Sequence, residues 1–409
     1  MQEIIINKDT EGKKTITLVE DGKLVEHYEE TNNYKRIEGN IYIGRVDNII
    51  LGMQAAFVDI GIGKNAFIHI KDIIPKVSNL TGNKNEQLSK HNISDYLRIG
   101  MPILVQVIKD ETKLKGARVS TSISLPGRFI VLLPNKEFIT ISQKIQNESE
   151  KNRLINIVKK ILPKGYGAII RTSAQEKEEE IIAKDLQNLL KTYADIMEKQ
   201  KRIEKEVKEK KKFNPEIVLQ NNDIIKKMLR DLSDQKLKKI TTNCEESYIN
   251  IKNYLTNIEC DDKLKVELKE EKNILDIYDL ETQILKTKSR KIWLKCGGFI
   301  TIDKTEALTA IDVNSGKYIG KNKSFEETVL TVNREATIEI AKQIRARDIG
   351  GIIIIDYIDM EKEETKNKII DVLNEEIKKD RAKIQIVGFT PLDLLEITRK
   401  HMFSSEDKI

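Results

Sequence analysis

Four consecutive isoleucines, Ile352–Ile355, run from Gly350-Gly351 straight into Asp356. No other segment restricts the C-terminal third of the chain as strongly. A continuous apolar run this short, bounded by glycines and a carboxylate, reads as a β-strand buried on both faces. Upstream, FITID (299–303) and ALTAIDVN (307–314) are further strands. Between them and the isoleucines, Val329, Val332, Ala336, Ile340 and Ile344 form one helical stripe, opened by the capping-box pattern Ser324-x-x-Glu327. A second helix is expected over about 361–379, then the strand KIQIV (383–387), then a helix capped by Thr390 and started by Pro391. Strand, helix, strand, helix, strand is the alternation of an α/β domain, here from about 282 to 409.

The remainder divides by pattern. Residues 1–37 read as the start of a β-meander, with a hairpin turn at EDGK. Five or so short strands over 38–122 fit a small barrel of the OB type, with the polar segment 76–99 as an inserted loop. Over 126–213, two strands flank a helix near 148–162, and a long helix follows from about Lys177. Its stripe is Ile182, Leu186, Leu189, Leu190, Tyr193 and Met197, and its mostly basic tail reads as a solvated face. The pattern breaks at Phe213-Asn214-Pro215, and 216–281 is mixed and charge-rich. A length of 409 residues allows two to four such domains.

Charged residues make up 33% of the chain and hydrophobic ones 39%, too apolar a balance for wholesale disorder. No apolar run approaches the roughly 18–20 residues of a membrane helix. The opening MQEIIINKDTEGKK lacks a secretory pattern, so cytoplasmic residence is the default expectation. Cys244, Cys260 and Cys296 form no CxxC; His27, His69, His91 and His401 form no HExxH. A disulfide framework and a histidine zinc site are therefore not expected. The net charge of +6 argues only weakly for a polyanionic partner.

Leu308, Ala310, Asp312 and Asn314 lie on one side of their strand, and Asp356 ends another. Functional groups in α/β sheets gather at the carboxyl ends of strands. Two carboxylates converging there beside an amide make a hard-cation site suited to Mg²⁺, which Asp359 could join through a short turn. The competing reading is that each aspartate caps the turn after its strand. Gly316–Lys321 imitates a phosphate loop, but its glycines are one residue too close, and Asn322 stands where Ser or Thr would be needed. In the barrel, Ala56, Val58 and Ile60 share a face, as do Ala66, Ile68 and Ile70, so Phe57 and Phe67 point the other way. Aromatics on that side can stack on bases at about 1–3 kcal/mol each, with Lys115 neutralising phosphate. They can equally pack beneath a neighbouring domain. Arg171-Thr172, after the apolar 168–170, is either a compact phosphomonoester binder or a structural pair at a strand end.

The ordered motifs GNIYIGRVDNIILGMQAAFVDIGIGKNAFIH, ISLPGRF, IIRTSA, GGFITIDKTEALTAIDVNSG and EIAKQIRARDIGGIIIIDYIDM span about 39–400. Together they resemble the ribonuclease E/G family of bacterial endoribonucleases. The resemblance implies an α/β multidomain fold. A ribonuclease-H-like platform would comprise 1–37 and 214–281. An OB-fold RNA-binding domain would follow at 38–122, a 5′-phosphate sensor at 123–213, and a catalytic nuclease domain similar to the deoxyribonuclease I fold at 282–409. By motif, Asp312 and Asp356 would hold Mg²⁺, with Mn²⁺ as an alternative, and Asn314 would orient the scissile phosphate. Phe57, Phe67 and Lys115 would contact RNA. Gly127, Val131, Arg171 and Thr172 would form the 5′-monophosphate pocket, with Lys383 in place of an arginine and hence a looser grip.

Two departures stand out. HMFSSEDKI ends the sequence without the Cys-Pro-x-Cys zinc link common in the family, so no zinc link is expected and a homodimer stays open. Residues 275–279 lack a histidine often found there, and no long C-terminal scaffold tail is expected, which favours the shorter type of member. The implied activity is Mg²⁺-dependent hydrolysis of single-stranded RNA to 5′-phosphate and 3′-hydroxyl ends, in rRNA maturation and mRNA decay. A non-catalytic RNA-binding regulator is the alternative. The acidic pair argues against it, because a pure binder has little use for clustered carboxylates against a polyanion.

Overall fold

Ile4, Ile5 and Ile6 are all fully buried, which requires cover on both faces of the strand Gln2–Lys8. That strand is the centre of a five-stranded sheet in the order Lys265–Leu268, Leu237–Thr242, Gln2–Lys8, Lys14–Glu20, Lys23–Glu30. Its first two pairings are parallel and its last two antiparallel. The hairpin after Glu20 turns at Asp21-Gly22, both at positive φ (48° and 76°), the conformation a two-residue hairpin favours. The computed structural model describes residues 1–30, 37–73, 92–111, 115–209, 213–221, 223–232, 237–257, 264–316 and 325–402. The chain divides into two units, Met1–Asn33 with Leu232–Ile409, and Tyr34–Asp231.

The first unit also holds a six-stranded sheet, ordered Lys291–Trp293, Phe299–Lys304, Leu308–Asn314, Gly351–Asp356, Leu394–Arg399, Ile384–Phe389. Only the Leu308–Asn314 and Gly351–Asp356 pair is parallel. Helices Phe325–Ala346 and Glu363–Ile377 pack on one face of it. The expected stripe Val329, Val332, Ala336, Ile340 and Ile344 is buried there against Ile300, Ile311, Val313, Ile353, Ile355 and Ile397.

Two expectations need correction here. The isoleucine strand is not buried on both faces: Ile353 and Ile355 are fully buried, whereas Ile352 is 50% exposed and Ile354 partly so. The reason is that both helices lie on the same side, leaving the other face of the sheet open. The segment after Thr390 is not a helix either. Thr390–Asp393 is a tight turn, closed by Thr390 N–H to the Leu394 carbonyl at 2.8 Å, with the Thr390 hydroxyl accepting from Leu392 and Leu394. Leu394–Arg399 then runs as a strand, because Leu395, Ile397 and Arg399 alternate into the core. Ser324 and residues 317–322 of the phosphate-loop imitation lie outside the described residues, as does most of 76–99.

In the second unit, Ile41–Ile50, Ala55–Asp59, Ala66–His69, Arg118–Ser120 and Pro102–Lys109 form a barrel. It closes where Ile41–Ile50 pairs with Pro102–Lys109. Its interior is aliphatic: Val46, Ala56, Val58, Ala66, Ile68, Val105 and Val119 are fully buried. A four-stranded sheet, ordered Ile139–Ile141, Tyr166–Ile170, Ile130–Pro134, Leu125–Pro126, packs against helices Glu148–Ile161 and Glu179–Lys208. Ile182, Leu186 and Tyr193 of the long helix are buried; Leu189, Leu190 and Met197 flank that stripe, half-buried. Among the described residues no helix is long and apolar enough to cross a membrane.

Candidate active site

Parallel pairing sets Asp312 directly beside Asp356 across neighbouring strands. Cross-strand partners project from the same face, and for this row it is the open one. Both side chains are exposed. Asn314, two residues on, shares that face and donates from Nδ2 to Asp312 Oδ2 at 2.5 Å. The amide thereby fixes the orientation of one carboxylate. Partial burial, then the charges of Asp312 and Asp359, push the Asp356 carboxyl above its ordinary value. Neighbouring like charges are what a bound cation would relieve.

Among the described residues no three His, Cys, Asp or Glu side chains group closely enough to hold an ion by themselves. The charge of Asp359 acts on Asp356. Two carboxylates suit Mg²⁺, which keeps several waters and takes one or two carboxylates together with substrate phosphates. The donor set fits a hard divalent cation.

On the barrel, Phe57 and Phe67 are direct cross-strand partners with ring centroids 6.2 Å apart at 68°. Both are half-buried, outside the aliphatic core formed by Ala56, Val58, Ala66 and Ile68. Lys115 is exposed, shortly before the Arg118–Ser120 strand that pairs with Phe67.

Arg171 follows the strand Tyr166–Ile170, and its guanidinium bridges two segments far apart in sequence. Nη1 donates to the Gly127 carbonyl at 2.7 Å and Nη2 to Asp231 Oδ1 at 2.5 Å. Thr172 beside it is exposed, and Val131 lies in the neighbouring strand, opposite Ile169. Gly127 is tightly constrained: a Cβ there would lie 2.5 Å from an Asp185 oxygen and 2.8 Å from the Ile130 carbonyl. Lys383 is exposed and belongs to the other unit.

Comparison with known proteins decides the affiliation. The model of the ribonuclease E/G family matches residues 124–402. The chain belongs to the ribonuclease E/G family. Ribonuclease G of Salmonella typhimurium is 36% identical over 408 residues, all of this chain and 81% of that relative. Ribonuclease G of Haemophilus influenzae is 36% identical over 409 residues, again with 81% of the relative covered. Ribonuclease E of a Nostoc species is 35% identical over 367 residues, 88% of this chain and 51% of the relative.

Two residues of this family member escaped the sequence reading. Asp185 accepts the backbone N–H groups of Arg128, Phe129 and Ile130 at 2.9–3.2 Å and so shapes the turn that carries Gly127. Its one sequence signal is an acid flanking the apolar stripe, between Ile182 and Leu186. Asp231 holds Arg171, and nothing in its local sequence marks it. An anion binding at Arg171 must compete with that carboxylate.

Proposed function

We propose that the chain is a divalent-metal-dependent endoribonuclease that cuts single-stranded RNA to 5′-phosphate and 3′-hydroxyl ends, serving rRNA maturation and mRNA decay. That it is an endoribonuclease follows from its family; the finer reading rests on one observation, the Asp312–Asp356 pair with Asn314 on an open sheet face. Asp312 and Asp356 would hold the ion. Bound there, a hard cation supplies Lewis-acid polarisation of a phosphoryl oxygen and lowers the pKa of a water. Asn314 steadies Asp312 and keeps its own carbonyl and second N–H to orient the scissile phosphate. The four-part domain division and the ribonuclease-H-like and deoxyribonuclease-I-like folds belong to the same proposal. The test is incubation with a short A/U-rich RNA. Cleavage with Mg²⁺ and none with chelator supports the reading; equal cleavage in both sinks it.

Phe57, Phe67 and Lys115 are assigned to the RNA track. Phe57→Ala and Phe67→Ala should each weaken single-stranded RNA binding by roughly 1–3 kcal/mol with little change in melting temperature. A large drop in melting temperature with affinity unchanged would make them packing residues.

Arg171 and Thr172, with Gly127 and Val131, are assigned to recognition of a 5′-monophosphate. RNA with that end should be cut faster than the same RNA with a 5′-hydroxyl. The effect should be modest, because Asp231 competes for the guanidinium. Arg171→Ala should erase the preference while basal cleavage persists. Identical rates on both substrates for wild type and variant would make Arg171 structural.

A further inference from the structure

The open face that carries the carboxylates also carries an aromatic pair. Register aligns two adjacent rows across the sheet. Lys291, Thr301, Asp312 and Asp356 are successive cross-strand partners, and so are Trp293, Phe299 and Asn314. All seven side chains therefore share the side opposite the helices. Ile292 and Leu294, the neighbours of Trp293, face the core instead. Trp293 itself is 60% exposed, so its ring does not serve the interior. It meets Phe299 edge to face, with centroids 5.3 Å apart at 62°. Lys291 Nζ lies 4.2 Å from the Trp293 centroid and 3.5 Å from that of Phe299.

An exposed tryptophan held by a second ring, with an ammonium against both, is a platform with a flat apolar surface and a positive charge. Strands in a sheet lie about 5 Å apart. Phe299 is thus one strand spacing from Asn314 and Trp293 two, a span within reach of a nucleotide whose phosphate sits at Asp312–Asn314. We propose that Trp293 and Phe299 form a base-stacking subsite for the nucleotide next to the scissile phosphate, with Lys291 neutralising the adjoining backbone. Single-stranded RNA is the occupant because the platform is continuous with the carboxylate site, its charge is opposite to that of RNA, and stacking accepts any base. The subsite rests on the assignment of Asp312 and Asp356 as the cleavage centre.

Trp293 is the chain's one tryptophan, so its fluorescence reports this site alone. In the test, full-length Asp312→Asn protein is titrated with a short single-stranded oligoribonucleotide, and with versions made abasic at either nucleotide flanking the cut. The intact RNA should quench the emission, and one of the abasic versions should not. In the otherwise native enzyme, Trp293→Ala should lower kcat/KM by about 5- to 100-fold, chiefly through KM. Trp293→Phe should recover most of the loss, and both should melt within a few degrees of wild type. RNA that binds by anisotropy and is cut normally by Trp293→Ala, with tryptophan emission unmoved by bound RNA, overturns the subsite. Cleavage surviving in Asp312→Asn overturns the carboxylate assignment instead, a separate result that leaves the quenching readout to decide the fate of Trp293.

Discussion

Asp312→Asn should abolish RNA cleavage while RNA affinity stays within about twofold of wild type, and Asp356→Asn should do the same. The substitution keeps the size of the side chain and its exposed position, and removes one of two adjacent negative charges. Loss of an outer-shell partner of a metal ligand typically costs about 10–100-fold, so loss of a ligand itself should exceed 100-fold. Affinity should hold because contacts to phosphate and bases elsewhere supply it, and the carboxylates repel the polyanion. Asn314→Ala, which releases the hydrogen bond on Asp312, should fall between these limits. Single-turnover cleavage of a labelled RNA and anisotropy on the same RNA make the two measurements. Mg²⁺-dependent cleavage within tenfold of wild type by either aspartate variant would remove the pair from the active site.

The second large effect is on stability. Glu26, on the strand Lys23–Glu30, is 1% exposed. It accepts from Arg345 Nε at 3.0 Å, from Arg381 Nε at 3.2 Å and Nη2, and from the Tyr28 hydroxyl at 2.9 Å. Arg345 is itself buried, near the end of the helix Phe325–Ala346. The cluster thus ties the N-terminal sheet to the helix Phe325–Ala346 and to the segment between Ile377 and Ile384, inside one unit. Burial opposes the charge on Glu26, but the two guanidinium groups and the Tyr28 hydroxyl outweigh it and hold the carboxyl at about 2. Glu26→Gln leaves the buried Arg345 and the partly buried Arg381 facing a neutral group, with Glu20 at 3.6 Å as the remaining carboxylate beside Arg345, and should destabilise the fold by about 3 kcal/mol.

The pH dependence has a defined sign. Glu26 binds its proton more weakly when folded than when unfolded, so its contribution is complete above about 4.5 and is lost as pH falls toward 2. Wild type should lose stability steeply in that window, and Glu26→Gln less steeply. Urea unfolding at pH 7 and pH 3 measures both. A variant within 1 kcal/mol of wild type at pH 7 would mean that the cluster contributes no net stability.

Local periodicity carried the reading wherever one strand or helix decides the outcome. The stripe from Val329 to Ile344, the Asp21-Gly22 hairpin and the shared face of Asp312 and Asn314 each follow from spacing within a single element, because side chains repeat every 3.6 or two residues. The same reasoning failed after Thr390, where Thr-Pro imitates a helix start. The alternation of Leu395, Ile397 and Arg399, satisfied by pairing with the isoleucine strand, overrode it. Tertiary structure alone decided the rest. The four isoleucines do not say that both helices pack on one side, and that choice is what opens the face bearing Asp356. Nor does spacing set the register that places Asp312 beside Asp356 or aligns Trp293, Phe299 and Asn314. Glu26 meets arginines 319 and 355 positions away, and Arg171 meets Asp231, 60 positions away. Such pairs leave no trace in the sequence, because the gain comes from desolvating partners together once the chain has brought them into contact, and nothing in either neighbourhood requires it beforehand.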